Sequence, residues 1–223
     1  MPSERAVTVA SKPAVIFGSG GHARVVASLC GRPEDAITFV VPQARSAGQL
    51  AEADVFDRLD DFAQADLYIG IGDNAVRIRL FEALAARGRK PATLVAPNAF
   101  VADSASLGAG ALVCPGSAVM AGAVLGDNAL VNTLSSVDHD SLLGDHCQLA
   151  PGVTFAGATR VGRNGFFGVK SATIPGVELG DNVTVMAGSL VTKSFGDDLV
   201  LGGVPARIAR RRANDAPGAT ESP

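Results

Sequence analysis

Tryptophan is absent from this 223-residue chain, tyrosine occurs once and histidine three times. Set beside 26 glycines, that shortage of aromatics is unusual for a helical protein and points to a repetitive fold. Cysteine is scarce too. Cys30, Cys114 and Cys147 are odd in number, far apart and without a CxxC pair. That excludes a disulfide framework and predicts reduced thiols in a cytoplasmic protein. No run of about 18 apolar residues occurs, so no membrane span is expected. The opening MPSERAVTVASKP lacks the apolar stretch of a secretory signal. There is no basic excess either: the formal net charge of −3 argues against an electrostatic nucleic-acid partner. What the chain does have is 47% hydrophobic residues, enough for a real core, in a length that fits one large domain or two small ones.

From Val95 the chain falls into sixteen hexads without insertion or slip, among them LGDNAL, VNTLSS, VDHDSL, LGDHCQ and LAPGVT. The first position is apolar in fifteen of them; Thr173 is the exception. The fifth position is never larger than valine. A period of six is neither 3.6 nor 2, so it describes neither a helix nor an ordinary strand. It reads as a short strand plus a corner, with three such units closing a triangular coil of eighteen residues. The large apolar residue fills the prism, the small one fits the corner, and coils stack as parallel strands about 4.8 Å apart.

The first ninety residues alternate strand and helix. Ala14–Phe17 reads as a buried strand, Gly18-Ser19-Gly20-Gly21-His22 as a turn and Ala23–Leu29 as a helix. Further strands are expected at Ile37–Val41 and Leu67–Gly72. Asp73-Asn74-Ala75 is placed to cap a helix over Val76–Arg87. This is a small parallel sheet of Rossmann type. Gly18-x-Gly20-x-x-Ala23 fits the Gly/Ala dinucleotide fingerprint, but Thr38–Pro42 lacks the acid that would hold a ribose, which speaks against NAD. The free backbone N–H groups of such a turn suit a phosphate, as in a sugar nucleotide.

Together VIFGSGGHARVV, IGIGDNAVR, the hexad stretch VNTLSSVDHD and GGVPAR resemble the bacterial sugar-nucleotide acetyltransferases of NeuD/PglD type, over residues 14–212. That family includes bacillosamine and perosamine N-acetyltransferases and sialic-acid O-acetyltransferases. The resemblance implies an α/β Rossmann-like domain followed by an all-β, left-handed parallel β-helix. It also implies a homotrimer with acyl-CoA bound between adjacent prisms. The expected division is a tail at 1–13, a nucleotide-sugar domain at 14–92, a β-helix acetyltransferase domain at 93–200 and a C-terminal segment at 201–223, disordered from 213. The chain departs from the family at Val40-Val41-Pro42-Gln43, where members carry acids that help hold the nucleotide-sugar.

Two histidines lie in SSVDHDSLLGDH. His139 occupies the third place of its hexad and His146 the fourth of the next, so they do not stack on one face. A zinc site of the γ-carbonic-anhydrase type needs three histidines, and His22 lies in the other domain, so no metal is expected. Histidine has the pKa for a general base at neutral pH, and a flanking carboxylate can hold its tautomer. The resemblance assigns that carboxylate to Asp140, with Asp138 the alternative. Eighteen residues after His139 comes Gly157, one coil on at the same corner, with room for an acyl group and an N–H for its oxyanion. The family uses a glycine N–H there.

By the same resemblance Gly18, Ser19, Gly20, Gly21, His22, Gly72, Asp73, Asn74 and Asn132 contact the sugar nucleotide. Gln148 stands where some relatives place a second histidine near acetyl-CoA. Val169 and Ala187 line the pantetheine arm, and Lys193 with Arg207, Arg210, Arg211 and Arg212 meets the coenzyme phosphates. Cys147 sits at a fifth, packing-type position and is read as structural, which favours direct transfer over an acyl-enzyme. The expected activity is acetyl-CoA-dependent N-acetylation of a nucleotide-linked amino sugar. O-acetylation of a sugar such as sialic acid and a non-catalytic nucleotide-sugar-binding scaffold stay open beside it.

Overall fold

The computed structural model describes residues 12–40 and 59–212. Most of the expected N-terminal tail, Val41-Pro42-Gln43 and the tail from 213 lie outside the described residues. The chain divides into two compact units, Met1–Val95 and Ala96–Pro223.

In the first unit β1 (Ala14–Phe17), β2 (Ile37–Val40) and β3 (Asp66–Ile69) form a parallel sheet in the order β2-β1-β3. The apolar run of β1 is buried throughout, as the central strand of a covered parallel sheet should be. Helix α1 spans Gly21–Leu29 and α2 spans Asn74–Ala85. The third strand stops at Ile69, three residues before the expected end and opposite Phe17, the last residue of β1; the next residue, Gly70, packs against α1. A Cβ at Gly70 would stand 2.7 Å from the Ala23 Cα and 2.8 Å from the Ile16 Cγ2. Helix α2 starts at Asn74, two residues before the expected Val76. Asp73 is its N-cap, its Oδ1 accepting the Val76 N–H at 2.8 Å. Its buried residues Arg77, Leu80, Phe81 and Leu84 share one helical face.

Seventeen two-residue strands follow, from β4 (Leu94–Val95) to β20 (Leu190–Val191). They stack into three parallel sheets and form a solenoid of about six turns. One sheet contains β10 (Leu130–Val131) and β13 (Gln148–Leu149), the second β11 (Ser136–Val137) and β14 (Thr154–Phe155), the third β12 (Leu142–Leu143). Register is eighteen residues throughout, as Val131↔Leu149 and Val137↔Phe155 show. First-position side chains point inward, and from Val113 onward they are buried. Each large one contributes roughly 1.5–3 kcal/mol by leaving water. Phe155 and Phe167 meet edge to face inside the prism, their centroids 4.6 Å apart.

The corners follow a rule that the hexad pattern leaves unstated. The fourth position is left-handed in coil after coil. Asn128, Leu134, Asp140, His146, Ala158, Asn164, Lys170 and Asn182 all have φ between +56° and +62°. Asn, Asp, His and Gly tolerate that conformation best, which accounts for most of the residues found there. The fifth position does more than fit. The Ser135 Oγ donates to the Ala150 C=O at 2.9 Å and accepts the Val153 N–H at 3.2 Å. The Cys147 Sγ makes the same pair of bonds to the Gly162 C=O and the Gly165 N–H. At the corner after the third sheet, carboxylates cap the coil before them: Asp145 Oδ1 accepts the Asp127 N–H, and Asp181 Oδ1 the Arg163 N–H.

The C-terminal segment contains a hairpin that the hexad pattern did not predict. β21 (Leu199–Gly203) joins the first sheet beside β19 (Thr184–Val185), and β22 (Ala206–Arg211) returns antiparallel along its outer edge. No helix among the described residues is long and apolar enough to cross a membrane.

The glycines beneath the carboxylate corner are packed against backbone. A Cβ at Gly144 would stand 2.5 Å from the Gly162 oxygen and 2.6 Å from its carbonyl carbon. Gly144→Ala is therefore expected to cost about 3 kcal/mol in urea unfolding, near the upper end for overpacking, because backbone held in a ladder cannot yield.

Candidate active site

The chain turns three corners per coil. Asn132 and Thr133 follow β10 at the first, Asp138-His139-Asp140 follow β11 at the second, and Asp145-His146 follow β12 at the third. At the second corner the two aspartates divide their work. Asp138 Oδ1 accepts the His139 backbone N–H at 2.7 Å. Asp140 Oδ2 meets the ring Nδ1 at 2.8 Å. Asp140 is thus the ring partner and Asp138 the corner's local cap. Gly122, one coil earlier, leaves space for this: a Cβ there would stand 2.8 Å from Asp140 Oδ1.

With Nδ1–H donated to Asp140, Nε2 is left as the free lone pair of the neutral ring. It faces Gly157. A Cβ at Gly157 would overlap Nε2 and stand 2.6 Å from the ring Cε1. No other residue type fits there without moving the imidazole. The stacking is held by the Ala158 N–H donating to the His139 C=O at 2.8 Å. Gly157 is buried, and among the described residues its N–H donates no hydrogen bond. The His139 and Asp140 side chains remain 61% and 69% exposed, so an incoming molecule can reach the pair. The hydrogen bond to Asp140, then the charge of Asp138, raises the His139 pKa above its ordinary value.

His146 takes no part in this. It is buried at the third corner, its Nδ1 3.0 Å from Asn128 Nδ2, in a column continued by Asn164–Asn182 and Asn182–Asp198 amide bonds of 2.9 Å each. The three thiols are buried and free; burial pushes the Cys114 thiol up to about 11. Among the described residues no group of three His, Cys, Asp or Glu is placed to hold a metal.

The remaining expected residues are spread over other parts of the structure. Asn132 lies at the first corner, its Oδ1 accepting the Thr133 N–H at 2.8 Å. Val169 and Ala187 lie at that same first corner further along the prism, both exposed, so one chain keeps them apart from His139. Gln148 is buried on β13, on a different sheet from β11, the strand that leads into His139. Lys193 sits over the Phe195 ring at 5.3 Å, and Arg207, Arg210, Arg211 and Arg212 lie along the exposed strand β22 and its end.

In the first unit Gly18, Ser19, Gly20, Gly21 and His22 form the turn and first residues of α1, and Gly72, Asp73 and Asn74 open α2. A Cβ at Gly72 would come within 3.8 Å of the His22 Cβ, so the two turns adjoin. Sequence reasoning passed over Arg77, which is only 3% exposed. Burial, then the Arg77 charge, lowers the His22 pKa, and its Nε2 is buried without a hydrogen-bond partner among the described residues. An arginine on the inner face of an amphipathic helix was the available signal.

A family model described as the PglD N-terminal domain matches residues 14–84, and one described as a hexapeptide repeat of succinyl-transferase matches residues 158–193. PerB from Caulobacter crescentus, solved in complex with CoA and GDP-perosamine, is 33% identical; the match covers 91% of this chain and 100% of that one, with a TM-score of 0.79. Perosamine N-acetyltransferase from that organism has also been solved with one histidine replaced by alanine or asparagine. The acetyltransferase domain of PglB from Neisseria gonorrhoeae FA1090 is 30% identical, covering 88% of this chain and 99% of that one at a TM-score of 0.78, and has been solved with acetyl coenzyme A. A putative acetyltransferase of Staphylococcus aureus (strain COL) is 37% identical over 65 residues, a stretch that spans 33% of that relative's length.

An NMR titration of the His139 ring checks the electrostatics. The midpoint should lie above the ordinary histidine value. It should fall in Asp140→Asn and fall less in Asp138→Asn, following the order of causes. Because the folded pKa is the raised one, the pair's contribution to stability is fully present below the unfolded histidine pKa. It is lost as pH rises through the folded value.

Proposed function

The chain belongs to the PglD-type family of hexapeptide-repeat sugar N-acetyltransferases, and from that premise we propose that it transfers acetyl from acetyl-CoA to the amino group of a nucleotide-linked amino sugar. The observation that carries the reading is the facing of His139 Nε2 and Gly157, with the opposite ring nitrogen held by Asp140. The sugar's amine attacks the acetyl carbonyl carbon. His139 Nε2 takes the proton the amine sheds, and the resulting imidazolium is stabilised by Asp140. Charge developing on the acetyl oxygen meets the Gly157 N–H. The C–S bond then breaks and CoA leaves as thiolate, to which the imidazolium can return the proton. The replaced histidine in perosamine N-acetyltransferase is in keeping with a histidine in this role.

The buried Cys147 is held by two hydrogen bonds inside a corner, which favours direct transfer over an acyl-cysteine. The backbone turn at Gly18–His22 suits a pyrophosphate, with Gly72, Asp73 and Asn74 beside it. The coenzyme would run along Val169 and Ala187 toward Lys193. Since Val169 and Ala187 lie on a different corner of one chain from His139, a homotrimer would complete each site, with one copy's base beside a neighbour's coenzyme groove.

Thiol release from acetyl-CoA, measured against UDP-, GDP- and dTDP-linked 4-amino sugars, tests this. Turnover on one amino sugar is expected, and His139→Ala should lower kcat at least about a hundredfold. Equal turnover by that variant would remove the base from the mechanism, and turnover on hydroxyl acceptors alone would replace N- by O-acetylation. The kcat/KM profile should rise as pH passes upward through the raised His139 pKa, because the neutral ring is the base.

A further inference from the structure

Thr173 is the one polar side chain at a first hexad position, and it lies inside the prism at 5% exposure. Its surroundings break the rule of the stack. Elsewhere the second-position N–H donates to a backbone carbonyl of the next coil: Asp138 to the Phe155 C=O at 3.1 Å, Ile174 to the Val191 C=O at 3.0 Å. Ala156 instead donates to the Thr173 hydroxyl at 3.2 Å. The ladder loosens at the same place. β14 pairs with β17 (Ala172–Thr173) at Thr154↔Ala172 alone, whereas β11–β14 and β17–β20 are registered at both residues.

The hydroxyl is part of a closed circuit. Thr173 Oγ1 lies 2.8 Å from Thr159 Oγ1, and Thr159 Oγ1 donates to the Ala156 C=O at 2.7 Å. Each hydroxyl has one proton, so the directions are determined. Ala156 N–H donates to Thr173, Thr173 to Thr159, and Thr159 to the Ala156 C=O. A second hydroxyl, Ser141 Oγ, reaches the same carbonyl at 3.3 Å. That carbonyl belongs to the peptide whose nitrogen is Gly157's. In a planar trans peptide, C=O and N–H point in opposite directions. Anchoring the oxygen on the hydroxyls therefore turns the Gly157 N–H the other way.

We propose that Thr173 and Thr159 are positioning residues for acetyl transfer: their buried hydroxyl pair replaces a ladder bond in order to set the Ala156–Gly157 peptide, and so aims the Gly157 N–H at the acetyl oxygen. The inference rests on the function proposed above. It goes beyond it by giving the single polar intruder in the apolar column a task, although neither threonine touches substrate. A valine at 173 has nearly the same shape and would let Ala156 return to the ordinary backbone bond. The fold has no need of the hydroxyl.

The test compares Thr173→Val and Thr173→Ser with wild type in turnover, in thermal melting and in crystal structures. Thr173→Val should lose about tenfold in kcat, with the KM for acetyl-CoA within about twofold and melting not lowered, since a misaimed donor costs transition-state but not ground-state binding. Thr173→Ser should retain wild-type kcat. In the Thr173→Val crystal the Ala156 N–H should rejoin the backbone carbonyl of residue 173 and the Gly157 peptide should rotate. Wild-type turnover in Thr173→Val, an unmoved peptide, or equal losses in both variants together with lowered melting would each overturn the proposal. If wild type acetylates no acceptor, the function proposed above fails instead. The crystal structures then decide this one: a rotated peptide sustains the positioning role and an unmoved one ends it.

Discussion

The parallel pairing of residues eighteen apart, tied by backbone hydrogen bonds such as that from the Asp138 N–H to the Phe155 C=O, is the interaction on which the rest of this prism depends. Two-residue strands are too short to be stable alone, and they persist because each inner one is paired on both sides by the same strand of the coils before and after. Keeping that register requires every corner to use the same amount of chain. The left-handed fourth position does this, turning the backbone sharply between one two-residue strand and the next. A residue inserted within a strand would move a first-position side chain out of the interior and every later corner out of its column.

Once the register is set, a column becomes a device whose purpose depends on its residues. At the third corner carboxylates and amides bond from coil to coil, and His146 serves there as one more member of the column. In the fifth-position columns hydroxyl and thiol groups staple the corner carbonyls, and sulfur performs the task as oxygen does. At the second corner the column leaves groups unspent. His139 has a free ring nitrogen, and the glycine one coil on has a backbone N–H outside the ladder. Catalytic potential here comes from the ordinary stack with a few bonds withheld.

Charge around His139 follows from the same geometry. Asp138 and Asp140 flank His139 symmetrically in sequence and quite differently in space. The second-position carboxylate folds back on the next N–H, while the fourth, with φ of +59°, is turned toward the ring. Both favour the imidazolium, one by a hydrogen bond and the other by a nearby charge.

The hexad period, the apolar column and the small fifth position were legible in the chain, because a six-residue repeat leaves one way to bury a large side chain and turn a corner. So was the pairing of His139 with Gly157, since both follow from counting eighteen. The parallel sheet of the first unit could be read from its buried strand and glycine turn, though its third strand ends at Ile69, where its partner β1 ends. The choice of Asp140 over Asp138 as ring partner depended on backbone dihedrals that two flanking aspartates do not reveal. Thr173 was visible only as an exception. Its circuit with Thr159 and Ala156 depends on a side-chain contact between residues fourteen apart, which is no spacing of the ladder. Counting could not find it, because side-chain oxygens bridge between columns according to where the folded walls place them. The hexad period settles the coil, its register and the place of His139 on it; only the folded prism settles which neighbours hold the ring and which way the glycine N–H points, because hydrogen-bond direction exists only once the peptide planes are oriented.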